Sequence, residues 1–364
     1  MPNISEDIEK MIFRQNPDYL HLESDHEQYI RQCLDDPKYT NIEKLFQFVA
    51  KVHEKNELFE LLKQLWQYES AFDKILPDHR DHYRHSANVY ALGLAIYNSS
   101  HFFRDALKIG WHPKEDQQKQ KTSFLFRWSL ASIFHDLAYP MEISIDCFND
   151  YCSKTQFQNK NQKSFIIIDP KIWQDLNILP QLKPNLGQED TAIGLISKSL
   201  TDFQPDRSVM NSGTLINYIE RTVNSDLAHG KVDHGVFASI ILLNRIHHMY
   251  KERADLPEEY FYNEVVNSCS AIFLHKFYCH SKLVQIFGNG KYLYDYPSPI
   301  GFLLYVCDTM CEWSRKSEEE KHLFSVTSDN NIILFKISAK FKEKMSEEIG
   351  LFDDRVPLRV EWNK

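Results

Sequence analysis

A chain of 364 residues can hold one large domain or two ordinary ones. Hydrophobic residues make up 43% of it, enough to bury a sizeable core, and no low-complexity block suggests long disorder. Its formal net charge of −9 argues against a general nucleic-acid binder, which needs a basic face to neutralise phosphates, but leaves room for a small phosphorylated ligand whose charge a metal offsets locally.

The N-terminus, MPNISEDIEKMIF, has no basic stretch followed by an apolar one, so no signal peptide is expected. Residues 1–76 read as an amphipathic helical region; NIEKLFQFVAKVHEKNELFELLKQLWQY places its apolar residues at three- and four-residue spacings, and Pro77 ends it. In HYRHSANVYALGLAIY, Val89, Leu92 and Ile96 share one helix face, with His85 one turn upstream of Val89. SFLFRWSLASIFHDLA is apolar nearly all round and predicts a central buried helix. Three more apolar helices are predicted for HGVFASIILLNRIHHMY, EVVNSCSAIFLHKF and PIGFLLYVCDTMCEW. Before them, residues 147–229 form a polar insertion rich in Gln, Asn and Lys, including SFIIIDP and ILPQLKPNLG. That is too long for a bare loop, and a lid or small subdomain is expected. Residues 321–364 change character: LFSVTSDNNIILFKIS predicts two strands around a Ser-Asp-Asn-Asn turn, and RVPLRVEW a third. The fold expected is mainly all-α, with residues 77–320 as the central helical domain and a small β appendage at the C-terminal end.

No apolar run approaches the length of a membrane span, so no membrane partner is expected. The seven cysteines are odd in number and form no C-x-x-C pair, which predicts reduced thiols in a cytoplasmic protein. Oligomeric state has no signature in the sequence.

Seven histidines, His21, His26, His53, His101, His112, His229 and His322, sit among polar residues and read as solvated side chains. Five elements differ because each places a potential ligand on an apolar helix: His85, the pair His135-Asp136, His234, His275 and Asp308. Burying such groups is costly unless they converge on something that satisfies them. Imidazoles and carboxylates together suit borderline or hard divalent ions such as Mn, Fe, Zn, Co, Ni or Mg, and the absence of cysteine tells against a closed structural zinc site.

In this order, His…His-Asp…His…His…Asp, the chain resembles the HD superfamily of metal-dependent phosphohydrolases. RDHYRHSANVYALG is similar to that family's first-ligand helix and IFHDLAYP to its dyad helix, with Ala138 where a glycine is common. DHGVFASIILL, AIFLHK and FLLYVCDTMCEW resemble the helices carrying the remaining ligands. The resemblance spans Arg80 to Arg315 and implies an HD-type helical bundle around one or two divalent metals. By resemblance His85, His135, Asp136 and Asp308 hold a first metal, and Asp136 bridges to a second held by His234 and His275. Relatives with two metals often carry a further histidine near the fourth ligand; Lys276 follows His275 here, and His280, five residues on, is the candidate.

Such a site implies hydrolysis of a nucleotide or related phosphoester by a metal-activated water, with Asp136 at its centre. His82, at i−3 from His85, and Lys276 are candidates to serve the leaving oxygen; an exposed helix-start histidine is the other reading of His82. Arg80, Arg84 and Arg315 are candidate phosphate clamps or surface salt-bridge formers, and Tyr139 either contacts substrate or packs. Glu312, one turn after Asp308, is a candidate to orient a ligand. No G-x-x-x-x-G-K-[ST] or G-x-S-x-G motif competes, and FGNGK is too short for a phosphate loop. Two alternatives stand beside hydrolysis. One is a di-iron oxygenase, since some HD relatives use a similar ligand set for oxygen. The other is a non-catalytic ligand-sensing or scaffold module, suggested by Ala138 and by the lack of a basic residue just after the dyad.

Overall fold

The computed structural model describes residues 4–14, 20, 22–52, 56–75, 81–108, 117–154, 169–179, 191–202, 211–251, 261–277, 298–311, 313, 323–329, 331–350, 352 and 356–363. The fold is mainly helical with a small three-stranded sheet near the C-terminus, as the hydrophobic patterning predicts. The chain divides into two compact units, residues 1–133 with 290–364, and residues 134–289.

The first unit contains α1 (Ile4–Phe13), α2 (Ser24–Asp35), α3 (Tyr39–Val52), α4 (Asn56–Ile75), α5 (His82–Ser99), α6 (His101–Lys108) and α7 (Gln117–Phe134), up to Ile133. Its centre is α5, which is buried along almost its whole length and carries a run of apolar and small residues, Val89 to Ile96, that covers every face. The indole of Trp128 on α7 lies directly over Gly93, and its Nε1 donates to the Tyr90 carbonyl at 2.9 Å. Asn98 closes the end of α1 by donating to the carbonyls of Met11 at 2.8 Å and Ile12 at 3.0 Å.

His26 on α2 corrects the reading from its polar neighbours. It is 6% exposed, and its Nε2 pairs with the Tyr90 hydroxyl at 2.8 Å. Burial lowers its pKa from 6.5 to about 4, so the ring is neutral at ordinary pH.

The sheet also belongs to the first unit. Strands β1 (Phe324–Asp329) and β2 (Ile332–Ser338) form an antiparallel hairpin in which Phe324 faces Ile337 and Asp329 faces Ile332. Asn331 supplies the left-handed residue of the turn, with φ 67°. Strand β3 (Leu358–Asn363) pairs parallel to β2, and the helix Lys342–Ile349 lies between them in sequence. Ile333, Phe335 and Ile337 of β2 are buried at alternate positions, the period of a half-buried strand. The carboxylate of Asp7 on α1 accepts from the Val326 N–H of β1 at 3.3 Å, and burial raises its pKa above the usual carboxylate value.

The second unit contains α8 (Tyr139–Lys154), α9 (Pro170–Asn177), α10 (Ala192–Asp202), α11 (Ser212–Ala228), α12 (His234–Lys251) and α13 (Asn267–Phe277); a π-helical turn, Phe261–Val266, leads into α13. Helices α12 and α13 pack closely against each other. The polar insertion is built of helices tied in by specific polar contacts. Asn177 accepts from the Ile193 N–H at 2.9 Å and so caps α10, and Trp173 Nε1 donates to Asn224 at 3.1 Å. Asn244 of α12 donates to the Leu176 carbonyl at 2.9 Å. No helix among the described residues is long and apolar enough to cross a membrane.

The last predicted apolar helix, PIGFLLYVCDTMCEW, forms α14 (Pro299–Met310) in the first unit, with Ser298 capping it through the Gly301 N–H at 3.1 Å.

Candidate metal centre

The second unit gathers its polar groups at the start of α8. After Phe134 the chain makes a tight turn over residues 135–138, in which the Leu137 N–H bonds to the Phe134 carbonyl at 3.1 Å and the Tyr139 N–H to the Asp136 carbonyl at 2.9 Å. His135 is fully buried and Asp136 is 4% exposed, so the pair does not mark a solvated helix end. The turn runs straight into α8, whose first turn carries Tyr139 and Glu142 on one face.

His234 opens α12, where Asp233 accepts from the Val236 N–H at 3.2 Å. One carboxylate oxygen of Glu142 receives both the His234 backbone N–H, at 3.0 Å, and its ring Nδ1, at 2.5 Å. His275, near the end of α13, directs its Nδ1 at the Ile272 carbonyl, 2.5 Å away. A carbonyl or an ionised carboxylate can only accept, so in both neutral rings the proton belongs on Nδ1. With Nδ1 protonated, a neutral ring presents Nε2 as a lone pair.

These lone pairs meet. His234 Nε2 lies 3.3 Å from His275 Nε2 and 3.2 Å from Asp136 Oδ1. Asp136, His234 and His275 each offer one ligand atom, all within 4.8 Å of one another, and all three residues are buried. Three acceptors so close repel one another unless a cation or a proton lies among them. Ligand atoms bound side by side at about 2.0–2.2 Å from a single ion stand about 3–3.5 Å apart, which matches the two spacings between His234 and its neighbours. The residues fit a divalent metal.

The rest of the setting is aromatic and acidic. His135 Nε2 is 3.2 Å from the other Asp136 oxygen, and its ring meets the His275 ring edge-on at 5.3 Å between centroids. Tyr139 lies edge-on to His234 at 5.6 Å.

The other sequence candidates fall in the first unit or outside the described residues. His85 and Asp308 pair through Nε2 and Oδ1 at 2.8 Å. His82 is 2% exposed, so its reading as an exposed helix-start residue is corrected. Glu69 of α4 accepts from its backbone N–H at 3.0 Å and faces its Nδ1 at 3.3 Å. Arg84 is half-buried, and its backbone N–H is capped by Asp81 at 2.9 Å. Arg80, His280, Glu312 and Arg315 lie outside the described residues, as does the side chain of Lys276.

Reasoning from sequence missed Glu142 and Glu69. For Glu142 a signal existed: it stands three residues after Tyr139, on the helix face that the dyad turn leads into. Matched against family models, curated proteins and solved structures, the chain finds no counterpart.

Proposed function

We propose that the chain is a metal-dependent phosphohydrolase or phosphodiesterase of HD type, hydrolysing a nucleotide or related phosphoester, with Asp136, His234 and His275 holding a divalent metal. The observation that carries this reading is the meeting of two imidazole lone pairs and a carboxylate oxygen, with both Nδ1 positions already committed to other acceptors. A divalent ion bound there would acidify water toward neutrality and draw charge from phosphoryl oxygens.

The chain's own residues prepare the site before any ligand arrives. Glu142 and the Ile272 carbonyl fix both tautomers and hold both rings in place, so little reorganisation is left for binding. Asp136 supplies the negative charge that a divalent ion needs, at a position 4% exposed, where water competes poorly for it. Tyr139 lies edge-on to His234 and keeps part of its surface exposed, so it is within reach of a bound substrate. An odd number of cysteines with no C-x-x-C pair supports a reducing, cytoplasmic setting.

Metal content by plasma mass spectrometry, on wild type and Asp136→Ala purified in parallel, tests the centre, and a broad phosphoester panel tests the reaction. The expected result is bound divalent metal with turnover in wild type, and loss of both in the variant. Metal-loaded wild type that cleaves no phosphoester, or that carries iron and consumes oxygen with an organic substrate, would overturn hydrolysis. Wild type that takes up no metal even after reconstitution with manganese would overturn the centre itself.

A further inference from the structure

We infer that Gly235 is a positioning residue of the centre: its missing side chain is the clearance that lets His275 bring Nε2 to 3.3 Å from His234. The inference rests on reading Asp136, His234 and His275 as a metal centre.

Gly235 is the second residue of α12, directly after His234. Its backbone does not require glycine, since the only described glycine at positive φ is Gly230. Helical positions disfavour glycine relative to alanine, so its presence there calls for another cause. The surroundings supply one. A Cβ at 235 would stand 2.9 Å from His275 Cε1, 3.1 Å from its Nδ1 and 3.2 Å from the Ile272 carbonyl oxygen. Gly213, in α11, offers a contrast, because a Cβ there meets only an Asn211 oxygen at an ordinary 3.6 Å.

All three atoms at Gly235 belong to one device, the His275 ring and the carbonyl that fixes its tautomer. A methyl group would have to be relieved in one of two ways. The ring could rotate, which breaks the Nδ1–H bond to Ile272 and turns Nε2 away from His234. It has little space for this, being 1% exposed and edge-on to His135. Otherwise α12 and α13 could separate, which lengthens the distance between the two Nε2 atoms. Either response spoils the spacing that suits a single ion, so Gly235 acts on the metal through His275.

Co(II) serves as the probe, because its visible spectrum reports ligand geometry as well as occupancy. In the full chain, Gly235→Ala is expected to bind Co(II) about 10–100-fold more weakly than wild type, with altered visible bands. Gly213→Ala is expected to match wild type. Wild type that binds no Co(II) would overturn the metal reading beneath the inference. Wild-type binding with an unchanged affinity and spectrum in Gly235→Ala would overturn the inference alone. Should Gly235→Ala fail to fold, the double variant Gly235→Ala/His275→Ala decides. Folding and a melting temperature at or above that of His275→Ala are expected once the ring is gone, and a double variant that still fails to fold would refute the clearance.

Discussion

Glu142 is the residue through which the centre can be weakened without touching a ligand. Its Oε2 receives two donors from His234, the backbone N–H at 3.0 Å and Nδ1 at 2.5 Å, and the second bond favours the tautomer that presents Nε2 to the centre. Replacing Glu142 with Gln keeps the shape and one acceptor oxygen but removes the charge. Replacing it with Ala removes both bonds. Loss of an outer partner of a ligating histidine typically weakens metal binding about 10–100-fold, which corresponds to about 1.4–2.7 kcal/mol. The Glu142 side chain is 25% exposed, so solvent screens part of its charge and the Gln variant belongs at the low end, near tenfold. The Ala variant belongs at the upper end, because its His234 ring is free to exchange tautomers and to place a proton on Nε2. Competition against a chromophoric chelator measures both affinities for Zn(II) or Mn(II), and urea unfolding of the metal-free proteins confirms that the fold persists. Equal metal affinity in wild type and Glu142→Ala, with both folded, would refute the reasoning, because it would mean that His234 needs no help to present Nε2.

Two further predictions concern the first unit. Gly93→Ala places a Cβ 1.9 Å from Cζ2 and 2.2 Å from Cε2 of Trp128, whose indole is anchored to the Tyr90 carbonyl, so the variant should lose at least about 1–3 kcal/mol; an unchanged melting temperature would contradict this packing. His26 gives the fold an acid-sensitive point. Its pKa falls from 6.5 unfolded to about 4 folded, so the unfolded chain binds more protons between those values. Stability from this group is therefore complete above pH 6.5 and is lost as pH falls toward 4, a total of about 3 kcal/mol. His26→Phe should be less stable than wild type at neutral pH, by about 1–3 kcal/mol, because the buried Tyr90 hydroxyl loses its hydrogen-bond partner, and the gap should narrow or invert near pH 4.5. Parallel loss of stability with falling pH in both proteins would show that His26 is not the sensitive group.

What could be read from the sequence, and what could not, follows from how far each signal travels along the chain. The helices are legible because burial imposes a period that survives in every apolar face, and the hairpin because alternation and an Asn-rich turn are local. The parallel return of β3 is less so: a strand can be recognised from its own residues, but its direction depends on the helix Lys342–Ile349 that carries the chain back. His26 shows the period and the neighbours disagreeing. SDHEQY looks solvated, yet His26, Ile30 and Cys33 are spaced along one stripe of α2 and all three are buried. The period was the better guide there.

The same distinction divides the candidate centre. Asp136, His234 and His275 stand out because a residue that supplies a ligand atom must be of a type able to do so, and such types are conspicuous on apolar helices. A residue that positions a ligand meets a weaker chemical requirement. Glu142 needs only a carboxylate within reach; by type it resembles any surface glutamate, and its one signal is its place three residues after Tyr139. Gly235 needs only to be absent from the space that His275 fills, and absence leaves no mark in composition. Its reason lies on another helix, in the 2.9 Å that would separate a Cβ from the His275 ring. Ligand identity is therefore a property of the residue and can be read along the chain. Support and clearance are properties of a pair, and the second member of each pair is brought near only by the packing of α8 and α13 against α12.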